Sequence, residues 1–149
     1  MPSASIKRKI SSSKENLIKM VLDIKKYPEF VPWCLGGKIY NIEHKGNITE
    51  IIADLTIGKS FFKETYKSFV VYDKILDSIT VTNIGGPLKH LKNKWFFKTL
   101  KNNSEIDFYI EFELKNKILN LIMIKYFDSV LKKIGDAFEK RANDLFNKT

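Results

Sequence analysis

The sequence predicts a single α+β domain, a curved antiparallel sheet gripping one long C-terminal helix, over residues 1–149. Three observations predict it. From about Lys38 to Lys115 apolar and polar side chains alternate at period two, the pattern of strands with one buried and one solvated face. From about Asn116 the apolar period lengthens to three or four residues and stays there, which is helical. No repeat, low-complexity tract or linker divides the 149 residues, a length ordinary for one domain.

The elements follow in order. Ser3 to Ile10 alternates, with Ala4, Ile6 and Ile10 on one side, and reads as a first strand. Ser12, with Glu15 three residues on, reads as a capping box opening a helix that carries Leu17, Val21 and Ile24 on one face. That helix stops before Tyr27-Pro28, because proline disfavours helical backbone in the residue preceding it. Pro28 to Leu35 holds two prolines and predicts a stiff loop with a short helical turn. Six strands are then expected: Lys38 to Glu43, Ile48 to Ile57, Ser60 to Tyr72, Ser78 to Ile84, Lys94 to Leu100, and Glu105 to Lys115. His44-Lys45-Gly46-Asn47 and Gly58-Lys59 mark the first two turns. The last strand is the cleanest, with Ile106, Phe108, Ile110, Phe112 and Leu114 inward and Asp107, Tyr109, Glu111 and Glu113 outward. In the final helix Phe127, Leu131, Ile134, Phe138 and Leu145 form the apolar stripe, and Gly135 is a candidate bend. Its start, Ile118 to Ile124, is apolar nearly all round, so neighbours are expected on more than one side.

Composition narrows the class of protein. An apolar share of 44%, with 11 Phe and 6 Tyr, supports a packed core and excludes disorder. The one cysteine, Cys34, cannot form an internal disulfide, which fits a reducing compartment. The first residues carry basic side chains but no apolar run, so no secretory signal is read there. No stretch approaches the roughly 18 apolar residues of a membrane span, and a soluble, cytoplasmic protein is expected. The net charge of +9 comes almost wholly from Lys, with Arg8 and Arg141 the two arginines. Arginine is the residue of bidentate phosphate recognition, so this excess points to anionic surfaces in general and away from sequence-specific DNA reading.

Catalytic chemistry has little to stand on. His44, His90 and Cys34 lack the spacing of a metal site, and Cys34, ending an apolar loop, reads as a packed thiol rather than a nucleophile paired with His90. The informative segment is Tyr27-Pro-Glu-Phe-Val-Pro-Trp-Cys34, two prolines stiffening a loop that carries four large apolar groups. Such a loop serves as a plug at one end of the sheet or as the wall of a pocket. Two groups of basic residues stand out beside it. Lys125, Lys132, Lys133, Lys140 and Lys148 recur along the last helix, and Lys89, His90, Lys92 and Lys94 cluster after Gly86-Pro87.

The octapeptide resembles the Tyr-Pro-x-Phe-x-Pro-x-Cys motif of the coenzyme Q-binding and ribosome-association-toxin family, within the START-like polyketide cyclase/dehydrase superfamily. The resemblance continues through Gly86-Pro87-Leu88-Lys89-His90-Leu91, Trp95-Phe96-Phe97, the strand Ile106 to Leu114 and the helix around Ala137 to Ala142, in order along nearly the whole chain. Leu88 stands where the family has Phe, and Gly85 where an acid is common. The resemblance implies a helix-grip fold with an apolar cavity between sheet and terminal helix. It further implies a non-enzymatic binder of ubiquinone or a related isoprenoid lipid, with no cofactor and no metal. By correspondence Phe30, Val31, Pro32 and Trp33 fall at the cavity mouth, Leu88 and Leu91 on a second loop, and Ile124, Phe127 and Leu131 on the gripping helix. The toxin-like branch implies another partner, the large ribosomal subunit. The lysines suit peripheral contact with an anionic membrane, in a bacterium the cytoplasmic face of the inner membrane.

Overall fold

The computed structural model describes residues 3–59, 62–86 and 88–146. Seven strands and two helices follow in the order expected: β1 (Ser3–Ile10), α1 (Lys14–Leu22), β2 (Cys34–Lys45), β3 (Ile48–Lys59), β4 (Phe62–Asp73), β5 (Ser78–Asn83), β6 (Leu88–Thr99), β7 (Ser104–Leu114) and α2 (Lys117–Phe146), with a 3-10 helix at Ile24–Glu29. The sheet order is β1-β7-β6-β5-β4-β3-β2, and every neighbouring pair is antiparallel. β2 to β7 therefore form one meander, and β1 closes its far side against β7. The 30-residue α2, roughly 45 Å long, leaves β7 and crosses the concave face. The short α1 and the 3-10 helix sit against the other end.

Local chemistry sets the boundaries. Ser13, not Ser12, caps α1: its Oγ accepts the Asn16 N–H at 3.1 Å. Ser12 lies one residue too early, and its carbonyl accepts instead from the Ser104 hydroxyl at 2.7 Å, tying β7 to the start of α1. The first turn is tighter than expected, since β2 runs to Lys45, and β3 continues two residues past its expected end, to Lys59. Ser60 and Phe61 lie outside the described residues. β6 begins at Leu88 rather than Lys94, six residues early, because Asn83 satisfies the irregularity at its start. The Asn83 amide donates to the Leu88 carbonyl at 3.1 Å and accepts the Leu91 N–H at 3.0 Å.

Close approach requires one glycine, against backbone, and favours another, against a side chain. A Cβ on Gly37 would lie 2.3 Å from the Ile24 carbonyl oxygen, so the 3-10 helix packs directly on the backbone of β2. At Gly135 the Arg8 guanidinium takes the place of a side chain, 3.0 Å from where a Cβ would stand. Arg8 shares the inward register of Ala4 and Ile6 but reaches over α2 to Asp136 at 2.8 Å and to the Lys132 carbonyl at 3.4 Å. Gly135 thus admits an arginine rather than a bend, and α2 runs through it as one helix.

Inward residues of every strand meet in the core, β2 supplying the half-buried Ile39, together with Leu17, Val21 and Ile24 and the stripe Phe127, Leu131 and Phe138; Cys34 is buried at the start of β2. Ala142 completes that stripe; Leu145, expected in it, is 45% exposed because the sheet ends before it.

Candidate functional site

The concave face is built from inward rows that cross the strands. One row reads Tyr72, Ile79, Trp95, Phe108 and Ile6; the next reads Ile51, Val70, Val81, Asn93, Ile110 and Ala4; a third begins Ala53, Ser68, Asn83. Period-two alternation on each strand brings these residues to one side, and α2 covers them. At the end where α2 finishes, aromatic rings fill the interface. Trp95 lies 4.5 Å from Phe108 and 5.2 Å from Phe138, and Phe138 meets Phe30 at 5.1 Å and Tyr27 at 5.6 Å, all edge to face. Nearer the start of α2, Phe112 and Phe127 meet at 5.0 Å.

The proline-stiffened segment joins the two ends. The Tyr27 carbonyl accepts the Val31 N–H at 2.8 Å and the Phe30 N–H at 3.1 Å, and the Tyr27 hydroxyl donates to the Val21 carbonyl. Burial pushes the Tyr27 phenol well above its ordinary value, so it stays a neutral donor. Arg141 lies over the Phe30 ring at 4.9 Å and donates to Glu29 at 2.9 Å. That bond, with Lys26 second, holds the Glu29 carboxyl below its usual range. The chain then turns sharply at Trp33, which has φ of +60° and whose carbonyl accepts the Gly58 N–H at 2.9 Å. A bulky residue in that region is strained by about 1–3 kcal/mol, so the loop and β3 hold it there. Lys133 of α2 sits 5.6 Å from the Trp33 ring.

The residues singled out from sequence fall in three groups. Phe30, Val31, Pro32 and Trp33 are half-buried along the edge of the interface. Leu88, Leu91, Phe127 and Leu131 are buried in it. Leu88 and Leu91 lie within β6, not on a loop, because the strand starts early; Pro87 is outside the described residues. Ile124 is 45% exposed and sits at the side of α2 rather than against the sheet.

Polar groups do reach the concave side, from strands other than β7. Asn93 lies in the inward row between Val81 and Ile110, and its Oδ1 is buried without a hydrogen-bond partner. Tyr66 lies in the inward register beside Leu55, and burial raises its phenol well above the ordinary value. Sequence reading missed Asn93 by starting the strand at Lys94. The pattern Leu91, Asn93, Trp95, Phe97, read as one strand, would have found it.

Two open grooves lie elsewhere, and neither is the cavity implied between sheet and helix. One, of about 420 Å³, is on the outer face and is lined by Lys92, Lys94 and Phe96 together with Asp107, Tyr109 and Glu111. The other, of about 480 Å³, lies between α1 and the sheet, where Ile39 and Ile42 of β2 and Tyr72 of β4 line it. The cluster Lys89, His90, Lys92 and Lys94 is therefore not a basic loop. It stands on β6, where β7 supplies facing acids: Glu113 is 3.8 Å from Lys89 and Glu111 is 2.8 Å from His90. The Tyr109 hydroxyl and then His90 hold the Glu111 carboxyl below its usual range. Cys34 and His90 face opposite sides of the sheet. The Cys34 thiol is buried beside Ile57, and desolvation raises its pKa. Lys148 is outside the described residues.

A seven-stranded antiparallel sheet gripping a long terminal helix, with an apolar interface between them, defines a helix-grip domain of START type. The chain belongs to the polyketide cyclase/dehydrase and lipid transport family, whose model matches residues 13–139, and within it to the group of ribosome association toxins and coenzyme Q-binding proteins. It is 34% identical over 135 residues to a protein of Rickettsia prowazekii named ribosome association toxin RatA, covering 88% of this chain and 89% of that one. It is 32% identical over 132 residues to the mitochondrial coenzyme Q-binding protein of Dictyostelium discoideum, covering 85% of this chain and 62% of that one. A solved 18 kDa protein of Caulobacter crescentus superposes with a TM-score of 0.81 at 30% identity, over 99% of this chain and all of that one. An aromatase/cyclase of Streptomyces superposes at 0.78 but with 11% identity, a likeness of fold alone. Among the described residues no helix is long and apolar enough to cross a membrane.

Proposed function

We propose that this protein is a non-enzymatic carrier that binds ubiquinone or a related isoprenoid lipid between its sheet and α2. The observation that carries the reading is the chemistry of that interface. Its first two rows are aliphatic and aromatic but for the inward Asn93, which brings a neutral amide with a buried, unpartnered oxygen into the middle of them. Apolar walls with a few uncharged polar groups suit a long prenyl tail with a small carbonyl head. An amide can donate to a quinone oxygen or accept from a quinol hydroxyl, so one side chain serves both redox forms. Desolvation of the tail supplies roughly 25 cal/mol per Å², and carrying needs no reacting group. The name of the Dictyostelium relative points the same way. The rings of the aromatic cluster and the half-buried loop of Phe30 to Trp33 would yield to admit the tail. The reading assigns the protein to a bacterial cytoplasm.

The test is extraction of lipid from protein purified out of a quinone-rich host, followed by mass spectrometry. Ubiquinone or another prenyl lipid at a substantial fraction of the protein is the expected result; its absence would refute the carrier. A second reading rests on the relatives named ribosome association toxins, one of them matched over 89% of its length. It makes the partner the large ribosomal subunit, and the net charge of +9 suits a phosphate-rich surface. Salt-sensitive sedimentation with large subunits is its expected result, and failure to pellet with them at low salt would end it.

A further inference from the structure

The first turns of α2 carry a second apolar stripe, on the side away from the core. Ile118, Leu121, Ile122 and Lys125 follow the i, i+3, i+4, i+7 spacing of one helical face, while Phe127 and Leu131 face the sheet. Ile118 is 72% exposed and Leu121 68%. The sheet does not reach this face, so the neighbours its composition calls for are absent from the fold of a single chain. Leu35 and Ile84 are exposed as well, and strand register puts them at the same end of the molecule. Cys34 pairs with Ile57 near the end of β3, and Leu88 pairs with Leu114, the last residue of β7, just before α2 begins.

Charge identifies the occupant. From Lys115 to Phe127 the chain has three lysines and no acidic residue. Lys117 and Lys125 flank the aliphatic stripe, where their stems can lie along apolar surface and their ammonium groups reach outward. A second copy meeting this face about a twofold axis would bring lysine against lysine. Single-stranded RNA is bound on aromatic stacking surfaces, and this stripe is aliphatic. An apolar helix face with a cationic border matches an anionic bilayer surface, where aliphatic side chains enter the acyl boundary and lysines meet headgroup phosphates.

We infer that the outward face of residues 117–125 docks the protein on anionic membrane, with the helix lying in the interfacial plane. Docking there turns the end of the sheet at which α2 begins toward the lipid. The inference stands whether or not the cargo is a quinone. The test uses the full chain and vesicles of equal parts phosphatidylglycerol and phosphatidylcholine, against vesicles of phosphatidylcholine alone. Sedimentation with the anionic vesicles, weakened by salt, is expected. Ile118→Glu with Leu121→Glu should lower that affinity by at least about tenfold with no loss of thermal stability, since both side chains are exposed. Lys117→Gln or Lys125→Gln should each cost about fivefold. Failure of the unaltered chain to sediment with anionic vesicles, or undiminished binding by the double variant, overturns the inference. A lipid-free dimer that the double substitution dissociates would assign the face to a second copy and overturn it equally. Lipid extraction reports on cargo separately, so docking and carrying can fail independently.

Discussion

Adjacent glycines in β2 should respond in opposite ways to the same substitution. At Gly37 a Cβ would stand 2.3 Å from the Ile24 carbonyl oxygen, 3.1 Å from its carbon and 3.3 Å from the Lys25 Cα. A carbon meets a carbonyl oxygen no closer than about 3.3 Å without strain, so the 3-10 helix must retreat by about 1 Å. The obstacle is backbone, which no rotamer change relieves. Retreat would also shift Tyr27 and Phe30, which hold the Phe138 ring at one end of the sheet–helix interface. Overpacking typically costs about 1–3 kcal/mol, and Gly37→Ala belongs at the upper end, about 3 kcal/mol. With a shift of about 2–4 °C per kcal/mol for a chain near this size, the midpoint should fall by about 6–12 °C. At Gly36 the same Cβ would meet Thr56 at 3.5 Å, an ordinary contact. Gly36→Ala should therefore be neutral, or stabilising by up to about 1 kcal/mol through reduced freedom of the unfolded chain. Urea and thermal unfolding of both variants, followed by tryptophan fluorescence, make the comparison. A Gly37→Ala protein within about 0.5 kcal/mol of the parent would refute the close approach of the 3-10 helix to β2.

Three further outcomes are expected. Trp33→Gly should be more stable than Trp33→Ala by about 1 kcal/mol, because both lose the ring but only glycine accepts φ of +60° without strain. Equal stabilities would mean the turn relaxes, while both variants should lose lipid affinity if the ring borders the binding site. The buried, desolvated Cys34 should react with a disulfide reagent at least about tenfold more slowly at neutral pH in the folded protein than in denaturant. Fast native reaction would show the thiol to be open. Glu29, held down first by Arg141, and Glu111, held down first by Tyr109, have folded pKa values below their unfolded ones. Their stabilisation is complete above the unfolded carboxylate range and is lost as pH falls through the lowered folded values. Unfolding free energy measured downward from about pH 6 should decline less steeply in Glu29→Gln than in the parent, and an unchanged slope would count the Arg141 pair as inert.

Much of the fold is legible in the chain because burial of one face leaves a periodic trace. Strand β7 is the clearest case: Ile106, Phe108 and Phe112 are buried as their alternation requires. The order of elements, the extent of α2 and the stiff segment from Tyr27 to Cys34 follow from period and proline in the same way. Boundaries shifted where side-chain hydrogen bonds, local in one case and long-range in the other, decided them. Asn83 stitches the start of β6 and carries the strand back to Leu88, while Ser104 takes the carbonyl of Ser12 and leaves Ser13 as the cap. The site shows the same division. That Phe127 and Leu131 face the sheet can be read from their spacing; that Asn93 faces inward between Val81 and Ile110 follows from the alternation of β6 only once the strand is started at Leu88.

The sequence by itself determined the kind and order of the elements, the α+β class, and the family to which the proline-stiffened octapeptide points. These rest on local spacing and local backbone restriction, which a chain carries before it folds. Only the tertiary structure decided what lies against what. It set Arg8 over Gly135, pressed the 3-10 helix onto Gly37, and put the lysines of β6 beside the acids of β7. It also left Ile118 and Leu121 in solvent. An all-apolar stretch says that neighbours are wanted on every side. Whether the fold supplies them depends on how far the sheet extends, and here it ends one helix face short.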